Sequence, residues 1–129
     1  MNTIHFVAML TVLQYIFFGA LVGQARGRYG VQAPAVTGNE HFERMYRVQM
    51  NTLELLVAFI PALYAAGWYW PSWAVAIGGG VFIVGRFIYW RAYVSDPARR
   101  ALGFVLSIAP TIVLALAGIA GAVRAVAMR

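Results

Sequence analysis

Arginine, amide and carboxylate side chains recur at helical spacing in the stretch His41–Leu55, HFERMYRVQMNTLEL, which runs on into the apolar segment LVAFIPALYAAG. Wound into a helix, Arg44, Arg47, Asn51 and Glu54 fall within a sector of about 80°. A helix that enters a membrane with two cations, an amide and a carboxylate on one stripe needs a polar place to put them. Glu54 is the most telling of the four. It lies about two turns into the span, where ionised groups are costly and usually functional.

A second stripe follows the same logic. Arg86, Tyr89 and Tyr93 stand at i, i+3 and i+7 and lead to the end of their segment, and Arg100 begins the next one across a short turn. Each residue also has a plainer role. Arg44 and Arg47 can snorkel to headgroups, and Glu43 is expected to form a structural ion pair with one of them. Tyr89 and Tyr93 can serve as interface aromatics, and Arg86 is expected to partner a carboxylate or backbone carbonyls. Taken together, several arginines imply anionic groups, and Glu54 implies an ammonium or a structural arginine. Arg100, beside an apolar helix, could stabilise a developing anion at the lipid boundary. A peptide-like molecule with two carboxylates and an amine suits this set. Glutathione is one, although composition alone does not single it out.

The elements that position these residues are membrane helices. Of 129 residues, 62% are hydrophobic and only 11% charged, too few charges to cover a small soluble domain. The ten basic residues are all arginine and face four acids, for a net charge of +6. They cluster near the ends of apolar segments, which fits helix-end anchoring and anion binding rather than nucleic acid. With no cysteine, no disulfide framework or thiolate metal site is available, and no metal is expected.

Four helices are expected, at about 4–24, 40–66, 73–94 and 98–125, in one domain over residues 1–129: an all-α, up-down bundle. The first apolar run, Phe6–Gly23, lacks a basic n-region and is too long for a signal-peptide core. Residues 25–40 read as the one long polar connection, and Gly67–Trp73 as a tight aromatic turn at a bilayer interface. Pro61 and Pro110 are expected to bend their helices. Arginines flank the first and third connections and none flanks the second, which places loops one and three in the cytoplasm and both termini outside.

The run Phe42-Glu43-Arg44, Arg47, Gln49, Asn51, Glu54 strongly resembles the FERxxRxQxNxxE signature of the MAPEG superfamily, the membrane-associated proteins of eicosanoid and glutathione metabolism. The first-loop pattern around Arg26, the Arg86-Tyr89-Tyr93 stripe and Arg100 extend the resemblance over the whole chain. It implies a homotrimer that binds glutathione in clefts between subunits. Arg47, Asn51, Glu54, Tyr89 and Tyr93 would hold the tripeptide from one subunit, and Arg26 and Gln49 would reach it from the neighbour. Arg100 matches the arginine that stabilises the thiolate, while Glu43, Arg44 and Arg86 would support. With glutathione as co-substrate, the second substrate would be a lipophilic electrophile from the bilayer, among membrane lipids, in a bacterial inner membrane with the site facing the cytoplasm. Peroxidase activity is a further expectation.

Departures from the leukotriene C synthase pattern argue for a more general relative. Gly27 stands where a second first-loop arginine would be, with Arg28 one residue on, and Leu55 replaces a tyrosine. Two other readings stay open: a non-catalytic lipid- or glutathione-binding scaffold of the same family, and a small proton-coupled exporter using Glu54.

Overall fold

The computed structural model describes all 129 residues, Met1–Arg129. Four long helices dominate it: α1 (Asn2–Tyr29), α2 (Glu40–Tyr69), α3 (Ser72–Ser95) and α4 (Ala101–Ala127), with a 3-10 turn at Pro97–Arg99 before α4. All four spans are long and apolar enough to cross a membrane. At 1.5 Å per residue they are roughly 36–45 Å long, against about 30 Å of hydrocarbon, so their ends reach the headgroup layer. Large apolar side chains such as Phe6, Leu13, Val57, Ile77 and Leu116 point outward. In water such a surface would aggregate; in lipid it is the solvated face. The chain is an integral membrane protein.

Local chemistry sets the helix ends. Gly30 adopts the left-handed conformation (φ 71°), and the N–H groups of Gly30 and Val31 both donate to the Arg26 carbonyl. That cap ends α1. Asn39 begins α2, its side-chain oxygen accepting from the Phe42 N–H at 3.0 Å, with Glu40 and Glu43 in the first turn where the helix dipole favours them. Asp96 does the same for the 3-10 turn, accepting from Ala98 N–H at 3.1 Å.

Three boundaries differ from the sequence expectation, the start of α4 among them, at Ala101 rather than 98 because Pro97–Arg99 form a 3-10 turn. Helix α1 continues five residues past position 24, so Arg26 and Arg28 lie on helix rather than in the loop. Gly27 does not stop it, because a helical glycine costs only about 1 kcal/mol. Helix α2 likewise runs to Tyr69, since Gly67 is a packing position against Ile4 rather than a turn, and the connection to α3 narrows to Trp70 and Pro71. Pro61 and Pro110 both lie inside continuous helices.

The interior has two apolar clusters, one around Ile4, Phe59, Leu63 and Phe82 and one around Phe18, Phe42, Val48 and Tyr89. Between them along the helices lies a layer of buried polar groups: Thr11, Gln14, Thr52, Arg86, Ser107 and Thr111. Gln14 donates to the Ile83 carbonyl at 2.9 Å, joining α1 to α3. One end of the bundle gathers the start of α1, the end of α2 and the end of α4 through Ile4–Gly67 and Tyr69–Gly121 approaches. The opposite end gathers the end of α1, the start of α2, the end of α3 and the start of α4. The candidate residues are there.

Candidate functional site

Arg86 anchors the site from below. It is fully buried, and its partners are neutral: Nε donates to Ser107 Oγ at 2.7 Å, and Nη1 donates to Asn51 Oδ1 at 2.7 Å and to Thr52 Oγ1 at 3.3 Å. The sequence had suggested a carboxylate or backbone carbonyls. The bundle instead supplies hydroxyls, because Thr52 and Ser107 each reach back to the carbonyl four residues earlier and leave their oxygen free to accept. One guanidinium thereby ties α2, α3 and α4 together. Its charge also lies 4.4 Å from the centre of the Tyr89 ring, which stacks on Tyr93 at 5.4 Å.

Glycine brings α4 onto this platform. A Cβ on Gly103 would sit 2.4 Å from the Tyr89 backbone nitrogen, and one on Gly85 would sit 2.8 Å from the Leu106 carbonyl carbon. The two backbones therefore pass in direct contact. Arg100, the residue that caps α4, is thus carried to the rim beside Tyr89. It is exposed and has no ion-pair or hydrogen-bond partner for its side chain. The first turn of α4 adds its own positive dipole end.

Above Arg86 these elements enclose a cavity of about 220 Å³ lined by Arg47, Asn51, Tyr89, Arg100 and Phe104. Four of the five were singled out from sequence. Glu54 and Tyr93 back this lining rather than form it. Glu54 is half-exposed, and both of its oxygens accept from Arg47, at 3.0 and 3.3 Å. The expected structural arginine for Glu54 is therefore Arg47. Arg26 and Gln49 are not in the cavity. Arg26 lies over Phe42 and donates to the Ala35 carbonyl at 2.7 Å, while Gln49 packs against Gly19 of α1.

The expected Glu43 ion pair does not form. Arg44 pairs with Glu40, one helical turn back on the same face, and its other nitrogen donates to the Val94 and Ser95 carbonyls at 3.2 Å. Those carbonyls are unpaired at the end of α3, so the cation both satisfies them and complements the dipole. Glu43 instead accepts from the Gly38 N–H at 3.4 Å. Sequence reasoning also passed over Thr52, Ser107, Gly103 and Phe104. A signal existed: Gly103, Ser107 and Thr111 repeat small residues every four positions along one face of α4.

Comparison with known proteins agrees in extent with the site. The model of the MAPEG family matches residues 4–120. Microsomal glutathione S-transferase 2 of Homo sapiens is 39% identical over 115 residues, covering 89% of this chain and 78% of that protein. An uncharacterized protein of Synechocystis is 40% identical over 108 residues, 84% of this chain and 79% of its own length. Leukotriene C4 synthase of Bos taurus is 34% identical over 94 residues, 73% of this chain and 63% of that enzyme.

Proposed function

The chain belongs to the MAPEG family, a membrane family with glutathione-utilising enzymes, and from that premise we propose that it is a membrane glutathione transferase. It conjugates the glutathione thiolate to lipophilic electrophiles, with peroxide reduction as a second use of the same thiolate. The observation that carries this reading is the single cavity onto which Arg47, Asn51, Tyr89 and Arg100 converge.

In this reading the paired Arg47 and Glu54 offer both charges to the zwitterionic end of the tripeptide, and the Asn51 amide donates to a carboxylate. Arg100 receives the sulfur. A free thiol ionises near pH 8.5, and a cation beside it favours the charged form; each pK unit so gained is about 1.4 kcal/mol. The thiol proton leaves to water, and Arg100 stays protonated throughout. The sulfur lone pair then forms a bond to the electrophilic carbon, and the leaving group departs with the electrons of the broken bond. Phe104, Leu102 and Val105 present apolar surface on the adjoining face of α4, a route for a substrate dissolved in lipid.

The cavity is smaller than the roughly 300–1,000 Å³ usual for a small-molecule site. A tripeptide needs further walls, and Arg26 and Gln49 lie on a different face of the same chain. Both facts support a homotrimer in which each subunit lends those two residues to its neighbour. The reading includes one domain over residues 1–129, in a bacterial inner membrane with loops one and three and the site on the cytoplasmic side. The glutathione-using relatives support glutathione as co-substrate, and no metal is invoked.

The test is conjugation of glutathione to an aryl halide by the purified, lipid-reconstituted protein. Saturable, glutathione-dependent product formation that fails in Arg100→Ala is expected. Binding of a hydrophobic ligand without any conjugation or peroxide reduction would replace the transferase with a lipid-presenting scaffold.

A further inference from the structure

A second cavity, with two arginines in a largely apolar lining, lies at the same end of the bundle on the other side. It has a volume of about 240 Å³ and is walled by the end of α1, the start of α2 and the end of α3, with Arg28, Tyr29, His41, Trp90 and Arg91 among its lining. None of its ten lining residues is a carboxylate. Neither arginine has an ion pair or a side-chain hydrogen bond, although the other arginines at this end, Arg26, Arg44, Arg47 and Arg99, except Arg100, have one or the other. Each cation is backed instead by an aromatic face: Arg28 lies 5.5 Å from the Tyr29 ring centre and Arg91 lies 5.2 Å from that of Trp90. Tyr29 in turn stacks on His41 at 5.3 Å.

Two unneutralised cations in one cleft repel each other, and an anion between them removes that cost. The floor of the cleft continues into apolar surface. Trp90 meets Phe17 edge-on at 5.6 Å, Phe17 meets Phe87, and both phenylalanines are about two-fifths exposed. A charged mouth at a helix end, joined to an aromatic groove running down the membrane-facing surface, matches a molecule with an anionic head and an acyl tail. Arg28 is also about 200° around α1 from Arg26, so a subunit contact through Arg26 leaves Arg28 on the lipid side.

We propose that this cleft binds an anionic glycerophospholipid, its phosphate between Arg28 and Arg91 and one acyl chain along Phe17, Phe87 and Trp90. Basic pockets between membrane helices recognise such headgroups. The site is independent of glutathione chemistry, since it shares no lining residue with the cavity around Arg100.

Native mass spectrometry of the purified full chain, titrated with phosphatidylglycerol or with phosphatidylcholine of the same acyl chains, tests the site. The anionic lipid should be retained at roughly tenfold lower concentration or less, and the combined Arg28→Gln and Arg91→Gln variant should abolish that preference. Equal retention of the two lipids, or a preference that survives in the double variant, would overturn the proposal. Displacement of phosphatidylglycerol by millimolar inorganic phosphate would assign the cleft to free phosphate and overturn the lipid assignment. Should the double variant fail to fold, brominated lipids decide with the wild-type chain. Tryptophan quenching should be stronger with the brominated anionic lipid, and the excess should vanish in Trp90→Phe; an excess that persists contradicts the site.

Discussion

Arg86 Nη1 donates to Asn51 Oδ1 at 2.7 Å, and this bond fixes which way the Asn51 amide faces. With its oxygen committed to the buried cation, the amide presents its NH2 group to the cavity as a donor. A buried arginine that looks merely structural therefore selects the polarity that Asn51, on the neighbouring helix α2, offers to the cavity.

Asn51→Asp separates the two roles. The carboxylate would pair with Arg86 in place of the amide, so thermal stability should be retained or raised. The cavity would gain a negative charge and lose its donor, and glutathione affinity should fall by roughly 10- to 100-fold, the range for a lost hydrogen bond to a charged group. Calorimetric titration together with thermal unfolding checks this. Unchanged affinity would remove Asn51 from the binding set.

Gly103 should be intolerant of any side chain. Its added Cβ would meet Tyr89 backbone atoms at 2.4 and 2.5 Å, and backbone cannot swing away. Gly103→Ala should push α4 off α3, moving Arg100 and lowering conjugation activity at least tenfold by way of a misplaced catalytic group. Gly80 has nothing within 4 Å of its virtual Cβ, so Gly80→Ala should be neutral or stabilising by up to about 1 kcal/mol. Paired melting and activity measurements on the two variants distinguish packing from propensity.

The Arg47–Glu54 pair is half-exposed, with side chains 46% and 57% accessible. Exposed pairs contribute about 0.2–1 kcal/mol, so neither Arg47→Ala nor Glu54→Ala should change the melting temperature much. Both should weaken glutathione binding, each by roughly tenfold or more. Abolition of proton-coupled drug flux by Glu54→Gln, with glutathione irrelevant, is the opposite outcome and would point to an exporter.

The proposed sharing of sites between subunits makes a genetic prediction. Arg26→Ala and Arg100→Ala chains should each be inactive alone. Co-expressed, they should recover part of the wild-type activity, because some mixed clefts combine an intact Arg26 with an intact Arg100. Absence of recovery in verified mixed oligomers would place all the binding residues on one chain.

Much of this organisation was legible in the sequence because helices impose a fixed angular period. The spacing of Arg47 and Asn51, of Arg86 and Tyr89, and the position of Arg100 after Pro97 were enough to bring four of five cavity residues to one place. The partners of those residues were not legible. Arg44 had two acids within reach on its own helix, and only the approach of the α3 terminus, with its free carbonyls, orients it toward Glu40 and Val94. Arg86 carries a charge, which suggests a carboxylate or backbone carbonyls as partners, yet two hydroxyls and an amide take its Nε and Nη1 donors while Nη2 stays unpaired. Gly103 was overlooked because its role lies in the backbone of Tyr89, fourteen positions earlier in the chain.

In the proposed function, Arg100 lowers the pKa of bound glutathione. Ultraviolet difference titration of glutathione into the purified protein reads it directly through the thiolate band. A saturable band at neutral pH is expected, shifting in Arg100→Ala toward the alkaline range of a free thiol, while binding itself persists. A wild-type band that appears only at alkaline pH, or a midpoint identical in the two proteins, would contradict the assignment of Arg100.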